Sequence, residues 1–444
     1  MKLRLVALLL IGLLPLSLQA QTELSLVRLY RLALQNDPDF ASARASLQAG
    51  LQNRALGRAA LLPSLSASIE STRNDYGLRT TTAPFTNYEY SSRVKTIRLT
   101  QSIFDLERIA AYGEASAKAE LAEAVFAEAE KDLVLRVAQA YFNALLAQDN
   151  VELAEAQKLA IDAQRNQAEK LFKDRVSTIT DVEETRARHQ LAEAQHLVAK
   201  STLEVRRREL AKLMGTNEFR LPPQGKSFPL AAPEPPEIDH WLTAAANQNL
   251  RVLSRRINLK IADLQIDRAR AGHLPSLNLV ASKQKGNHPG YSVLEDDATR
   301  VGLQLNIPIF EGGRVLAVTE QYIQEREKAR QELEAALRDS DIKVSQAFLG
   351  VVNGLSQIKA LEQAVKSSET VLKGMDIGQK VGLRTTTDVL NAQQQLFTAR
   401  RDLQRERYTY LINRLTLEAE VGTLDAADVD FIDALLAASL AATS

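Results

Sequence analysis

Few side chains in this chain are placed for chemistry. His189 and His196 stand seven residues apart, on one face if the segment is helical, a spacing that would let them share a metal ion. His240, His273 and His288 are isolated. Asp296 and Asp297 form an acid pair of the type used in general acid–base catalysis. Glu311-Gly312-Gly313 has the small residues of a phosphate loop, but no Gly-Lys-Ser/Thr follows, so it reads as a strand-to-helix transition. No nucleophile, base and orienting group occur together, and no catalytic or cofactor-binding set emerges. The 444 residues contain no cysteine, which excludes disulfides, thiol chemistry, zinc ribbons and a lipid on an N-terminal Cys.

The elements that carry these residues are better defined. Lys and Arg total 55 against 55 Asp and Glu, so no charge excess points to nucleic acid or to an acidic metal store. With 13 Pro, 19 Gly, 45% hydrophobic and only 5% aromatic residues, the composition is that of long helices. Residues 1–20 open with Lys2 and Arg4, continue through an apolar run from Leu5 to Ile11, and pass Pro15 to Ala20, the pattern of a secretory signal peptide. No later stretch has about 18 consecutive apolar residues, so an exported chain that enters a membrane must do so as strands.

The chain repeats itself. Leu62-Pro63-Ser64-Leu65 answers Leu274-Pro275-Ser276-Leu277 at an offset of 212; Ser102-Ile103-Phe104-Asp105 answers Pro308-Ile309-Phe310-Glu311 at 206. Ala140-Tyr141-Phe142 answers Ala347-Phe348-Leu349, and Ile179-Thr180-Asp181-Val182 answers Thr386-Thr387-Asp388-Val389, both at 207. The jump places a length difference inside one hairpin. A first repeat over 21–220 and a second over 238–424 flank a linker, 221–237, that holds six prolines; 425–444 forms a C-terminal tail.

Within each repeat the period changes twice. A helical stretch from about residue 22 runs to Leu62, where Pro63 stops it. Alternating runs follow, bounding strand hairpins over 64–104 and 276–310, with strands near 64–73, 93–104, 276–285 and 300–310. Val301, Leu303, Leu305, Ile307 and Ile309 share one face of the last of these. Helical composition then resumes over 105–174 and 311–378, and returning helices follow each tip over 180–220 and 386–421. A helix of ~70 residues is roughly 105 Å long. Heptads mark its seams: Val344, Val351, Ile358, Val365 and Leu372 before the second tip, and Val389, Leu396, Leu403, Tyr410 and Leu417 after it. The first-half counterparts are Val182, His189, His196, Leu203 and Leu210, so the two histidines read as seam positions rather than ligands.

Four strands cannot close a barrel in lipid, where open edges leave backbone groups unsatisfied and barrels begin at about eight strands. Two copies would supply eight strands and three copies twelve. Phe104 and Phe310 at the helix-side ends, and Tyr76, Phe85, Tyr88, Tyr90 and Tyr291 at the loop side, suggest two aromatic girdles.

The order of helix, LPS-initiated hairpin, IF-D/E strand end, very long helix, tip and returning helix, repeated, resembles the TolC family of outer-membrane channels over the whole mature chain. Leu99-Thr100-Gln101-Ser102-Ile103-Phe104-Asp105, Gly272-His273-Leu274-Pro275-Ser276-Leu277, Val381-Gly382-Leu383-Arg384-Thr385-Thr386-Thr387-Asp388-Val389-Leu390 and Arg407-Tyr408-Thr409-Tyr410-Leu411-Ile412-Asn413 carry the likeness. The resemblance implies an α+β membrane protein. Its expected form is a homotrimer with a 12-stranded β-barrel in the outer membrane of a Gram-negative bacterium, four strands per chain. That barrel would continue into a long α-helical coiled-coil barrel across the periplasm. It further implies an exit duct of a tripartite efflux pump or type I secretion system. Its partners would be a periplasmic adaptor (membrane fusion protein), an ABC or RND-type inner-membrane transporter and outer-membrane lipid, with neither enzyme activity nor nucleic acid involved. The linker and C-terminal region would form a belt around the helices.

The resemblance also places an iris-like gate at the tips. Asp388 would line the closed mouth as a cation-attracting ring, and Arg384 would tie one hairpin to its neighbour through Asp181, with Thr180 beside it. Three departures stand out: Asn391 where the family has a second acid, Gln379 in place of a tyrosine of the closing set, and Arg175 where the first tip usually has glycine. The alternative is a non-conducting structural or adhesive coiled-coil surface protein.

Overall fold

The computed structural model describes residues 23–79, 81, 84–223, 230–287 and 295–441. The expected signal peptide, Tyr291 and part of the proline-rich linker lie outside the described residues. Two helices dominate, α3 (Leu106–Lys173, 68 residues) and α7 (Arg314–Lys380, 67 residues), each ~100 Å long at 1.5 Å per residue. The Asp105 carboxylate starts α3 by accepting from the Arg108 amide at 3.1 Å. Gly312 and Gly313, both at positive φ (62° and 82°), turn the chain into α7. Each long helix is returned by one of 36 residues, α4 (Ile179–Met214) and α8 (Thr386–Val421).

The heptad seams are buried. Val344, Val351 and Ile358 on α7, and Val389, Leu396, Leu403, Tyr410 and Leu417 on α8, all lie in the interior. In the first half Val182, His196 and Leu210 are buried, and His189 Nε2 lies 3.5 Å from Asp162 Oδ1. The histidines are therefore part of the α3–α4 seam.

Each helical stretch before a hairpin is broken, where the hydrophobic pattern alone suggested continuity. α1 (Leu26–Asn36) gives way to α2 (Pro38–Ala59), and α5 (Ile238–Gln248) to α6 (Leu250–Ala271). Pro38 lacks an N–H and fits only at a helix start, while Asp37 caps α2 and pairs with Arg136 at 2.7 Å. The equivalent Asn249 caps α6 through the Arg251 and Val252 amides without a proline.

The strands form one antiparallel sheet in the order β1 (Ser64–Leu78), β2 (Thr86–Phe104), β3 (Ser276–Asn287), β4 (Glu295–Asn306). One face carries Leu65, Leu99, Ala281 and Val301 in a single row, with Leu279 and Leu303 in the next. The other carries Ser64, Ser66, Ser68, Thr100, Arg98, Gln304 and Asn306. Three features depart from the sequence reading. β1 and β2 extend well past the apolar band, because polar strands can still pair in water. β4 ends at Asn306 rather than near 310, since Pro308 offers no ladder donor; Ile309 and Phe310 stand 94% and 84% exposed outside the sheet. Finally, register puts Tyr90 on the polar face, away from a lipid-facing girdle, and the Tyr76 and Tyr88 side chains lie outside those described.

Where α3, α4 and α8 run together, α1 and α9 (Ala426–Ala441) close over them. α9 occupies the stretch treated as a tail; Val429 and Ile432 are buried, and Asp433 Oδ1 accepts from the Leu26 amide at 2.8 Å. Ala231 of the linker bonds the Tyr410 hydroxyl through both its amide and its carbonyl. The core there stacks Phe142 on Tyr408 with centroids 5.8 Å apart. The Tyr408 hydroxyl donates to the buried Asp149 carboxylate at 2.9 Å. Tyr408→Phe is expected to destabilise the protein by about 1.5–3 kcal/mol, because a hydrogen bond to a buried charge is lost. The measurement is the shift in unfolding midpoint of detergent-solubilised protein.

Candidate functional site

The two tips are built by one device. At the end of α3 the Val176 amide bonds the Leu171 carbonyl at 2.8 Å, and Arg175 takes a left-handed φ of 61°. At the end of α7 the Leu383 amide bonds the Gly378 carbonyl at 2.8 Å, and Gly382 has φ 76°. Arg175 thus keeps the glycine turn geometry, at a cost of about 1 kcal/mol or more for its Cβ. Thr178 and Asp181 then form a reciprocal capping box on α4, and Thr385 and Asp388 form the same box on α8.

The sequence-predicted acids are therefore engaged within their own hairpins. Asp181 Oδ2 accepts from the Ser177 hydroxyl at 2.8 Å, the Thr178 hydroxyl at 2.8 Å and the Thr178 amide at 3.1 Å. The Ser177 hydroxyl first, then Thr178, holds the Asp181 carboxyl below its ordinary 3.8. Asp388 Oδ2 accepts from the Thr385 amide at 2.9 Å, and that bond, with the Thr385 hydroxyl and the Arg384 charge, lowers the Asp388 carboxyl too. Both groups are ionised throughout the neutral range. Because their folded values are depressed, the capping contribution is complete above about pH 4 and is lost as pH falls through the lowered values.

The remaining predicted residues separate. Arg384 packs over Gly378 and makes no hydrogen bond or ion pair with Asp181 in the same chain. Gln379 Nε2 donates to Thr386 Oγ1 at 3.1 Å, stapling its own tip. Thr180 lies in the first turn of α4. Asn391 accepts at Oδ1 from Arg188 Nη2 at 3.0 Å.

That last bond belongs to a clasp missed in the sequence. Arg188 also pairs with Glu184 at 3.2 Å, and Thr387 donates to Glu184 Oε2 at 2.8 Å. Two rungs, 184 to 387 and 188 to 391, join α4 to α8, each separated by 203 residues in sequence. Gln157 on α3 adds a third link, donating to Gln394 Oε1 on α8 at 2.6 Å. The Glu184–Arg188 spacing of four on one helix face was the only local sign.

With this geometry in place, relatives can be compared. The model of the family described as "Outer membrane efflux protein" matches residues 29–216 and 241–423. The chain belongs to that family. It is similar to the alkaline protease secretion protein AprF of Pseudomonas aeruginosa, 34% identical over 91% of this chain and 86% of that one. It is also similar to the outer membrane protein TolC of Vibrio cholerae, 31% identical over 92% and 93%. Among solved structures, that of the outer membrane protein VceC from Vibrio cholerae superposes with a TM-score of 0.78 at 20% identity, covering 89% of this chain and 96% of that one. No described helix is long and apolar enough to cross a membrane. The protein is an outer-membrane protein of the Gram-negative envelope, with its long helices in the periplasm.

Arg188→Ala should leave the fold intact and loosen the clasp by about 1 kcal/mol. The expected readout is roughly fivefold faster hydrogen exchange in the first turns of α4 and α8, with α1 and α9 unchanged.

Proposed function

We propose that three copies of this chain form a passive exit duct, gated at the hairpin tips, for cargo delivered from an inner-membrane transporter through a periplasmic adaptor. One observation supports this above others: a single chain is open on both flanks. β1 and β4 are unpaired along their outer edges. Below the sheet the helices pack in the order α2–α3–α6–α7, and nearer the tips as α4–α3–α8–α7, so α7 and either α2 or α4 stand at the flanks. The α4 flank shows a second, uncovered heptad of Leu191, Val198 and Val205, each more than half exposed. On α7, Ile342 and Leu349, also seven apart, are about half exposed. Each free seam needs the facing seam of another copy.

Three copies fit better than two. An eight-stranded barrel is just filled by its own side chains, whereas twelve strands leave a lumen. The polar face with its serines, Arg98 and Arg300 would line that lumen. At the far end, three Asp388 carboxylates would converge as an ionised ring that attracts cations. Arg384, unpaired with Asp181 in its own chain, would reach Asp181 of a neighbouring copy and close the ring of hairpins. Asn391, held by Arg188, contributes no second charge. Both turns expose a large apolar side chain at equivalent positions, Val176 (73%) and Leu383 (80%), as a surface for an adaptor.

Sedimentation in detergent is expected to give the protein mass of three chains; a stable monomer would overturn the duct. In planar bilayers the protein is expected to conduct, and Asp388→Asn to weaken block by divalent cations about tenfold, or ~1.4 kcal/mol. An unaltered block would remove Asp388 from the pore, and a trimer without conductance would favour the adhesive or structural reading.

A further inference from the structure

The apolar face of the sheet changes character at its far end. Counting along β2 from Phe104, the outward positions Leu99 and Ile97 are followed by Lys95 and Arg93. On β3 the outward run Leu277, Leu279, Ala281 is followed by Lys283 and Lys285. Lys95 lies directly opposite Lys285 in the strand register. Like charges facing each other across a strand pair are unfavourable unless a counter-ion lies between them. Asp297, opposite Lys285 in the β3–β4 register, lies 3.7 Å from Lys283, and Glu295 stands opposite Asn287, while Glu89 farther along β2 pairs with Arg73. In the three rows that hold Ile97, Lys95 and Arg93, four cations thus stand against two carboxylates. Arg93, Lys95 and Lys285 make no hydrogen bond or ion pair with a described side chain, and all three are exposed.

These three cations line one cavity of about 370 Å³, together with Glu295 and the neutral donors Ser71, Ser91 and Asn287. Its height is informative. Nine positions separate Phe104 from Lys95, roughly 30 Å along the strand and about 23 Å across the membrane at a usual barrel tilt. That matches the roughly 25 Å apolar band of outer-membrane barrels. The site therefore sits where the hydrocarbon ends on the side away from the helices.

We propose that this cavity binds a phosphate-monoester anion, and that its ligand in the membrane is a phosphorylated headgroup of an outer-leaflet lipid. Two lysines and an arginine provide charge-assisted donors, and the serines and Asn287 complete the shell around a tetrahedral anion. The lipid source rests on the membrane placement of the sheet; the anion site rests only on the register and the cavity.

Full-length protein purified in an uncharged detergent tests this by native mass spectrometry, independently of conductance or copy number. The probes are hexa-acylated lipid A with both phosphates, the same lipid dephosphorylated, and inorganic phosphate. Phosphorylated lipid A should form adducts that the paired variant Lys95→Gln, Lys285→Gln weakens at least fivefold and Lys95→Arg, Lys285→Arg retains. The dephosphorylated lipid should show no dependence on these residues. Displacement by an equal concentration of inorganic phosphate would keep the site but assign it to a free anion. Equal binding of every probe by the native protein and the Gln pair would overturn the proposal.

Discussion

A backbone N–H or C=O left unpaired in hydrocarbon costs several kcal/mol, and both outer edges of this four-stranded sheet present a row of them. In the proposed duct that cost is met by neighbouring copies. There the hairpins' one apolar and one polar face would separate lipid from a wet lumen. The helices inherit the same arrangement: α3 is surrounded, whereas α4 and α7 keep apolar heptads for a seam that no single chain can close. In the buried belt of α1, α9 and Tyr410 with the linker, by contrast, the chain completes its own core.

At the tips one set of carboxylates serves two scales. Asp181 and Asp388 first secure the starts of α4 and α8, in turns so alike that Arg175 accepts a glycine conformation. Capping also holds the carboxyls ionised and fixes their direction. The clasp of Glu184, Arg188, Thr387 and Asn391 then sets how far the two hairpins of one chain can separate. In the proposed duct, opening at this end would mean breaking contacts between copies, between hairpins, or both. In this chain the second kind is polar and partly charged, and so sensitive to salt.

Much of this was legible in the residues because it is periodic. Heptads from Val344 to Ile358 and from Val389 to Leu417, and the alternation from Val301 to Leu305, are local patterns that packing respects. The 207-residue offset survives as matching helices, with α4 and α8 beginning and ending at equivalent positions. What escaped was either a single-residue effect or a long-range one. Asp37 with Pro38 breaks a helix whose hydrophobic pattern runs on, and Pro308 ends a strand whose alternation continues to Ile309. The face of Tyr90 depends on register, which composition does not reveal. Glu184 and Thr387 meet only because two hairpins lie side by side, and no spacing rule covers 203 residues.

The two hairpins are not equal: β1 and β2 have 15 and 19 residues, β3 and β4 only 12 each. Both rise from the same level, so the described strands of the first run about 10 Å further for the three extra residues on β1, or about 8 Å in height at the usual barrel tilt. In the proposed duct each copy would thus set a taller pair of strands beside a shorter one, so the rim toward the cell surface would alternate in height where the helical tube beneath repeats evenly.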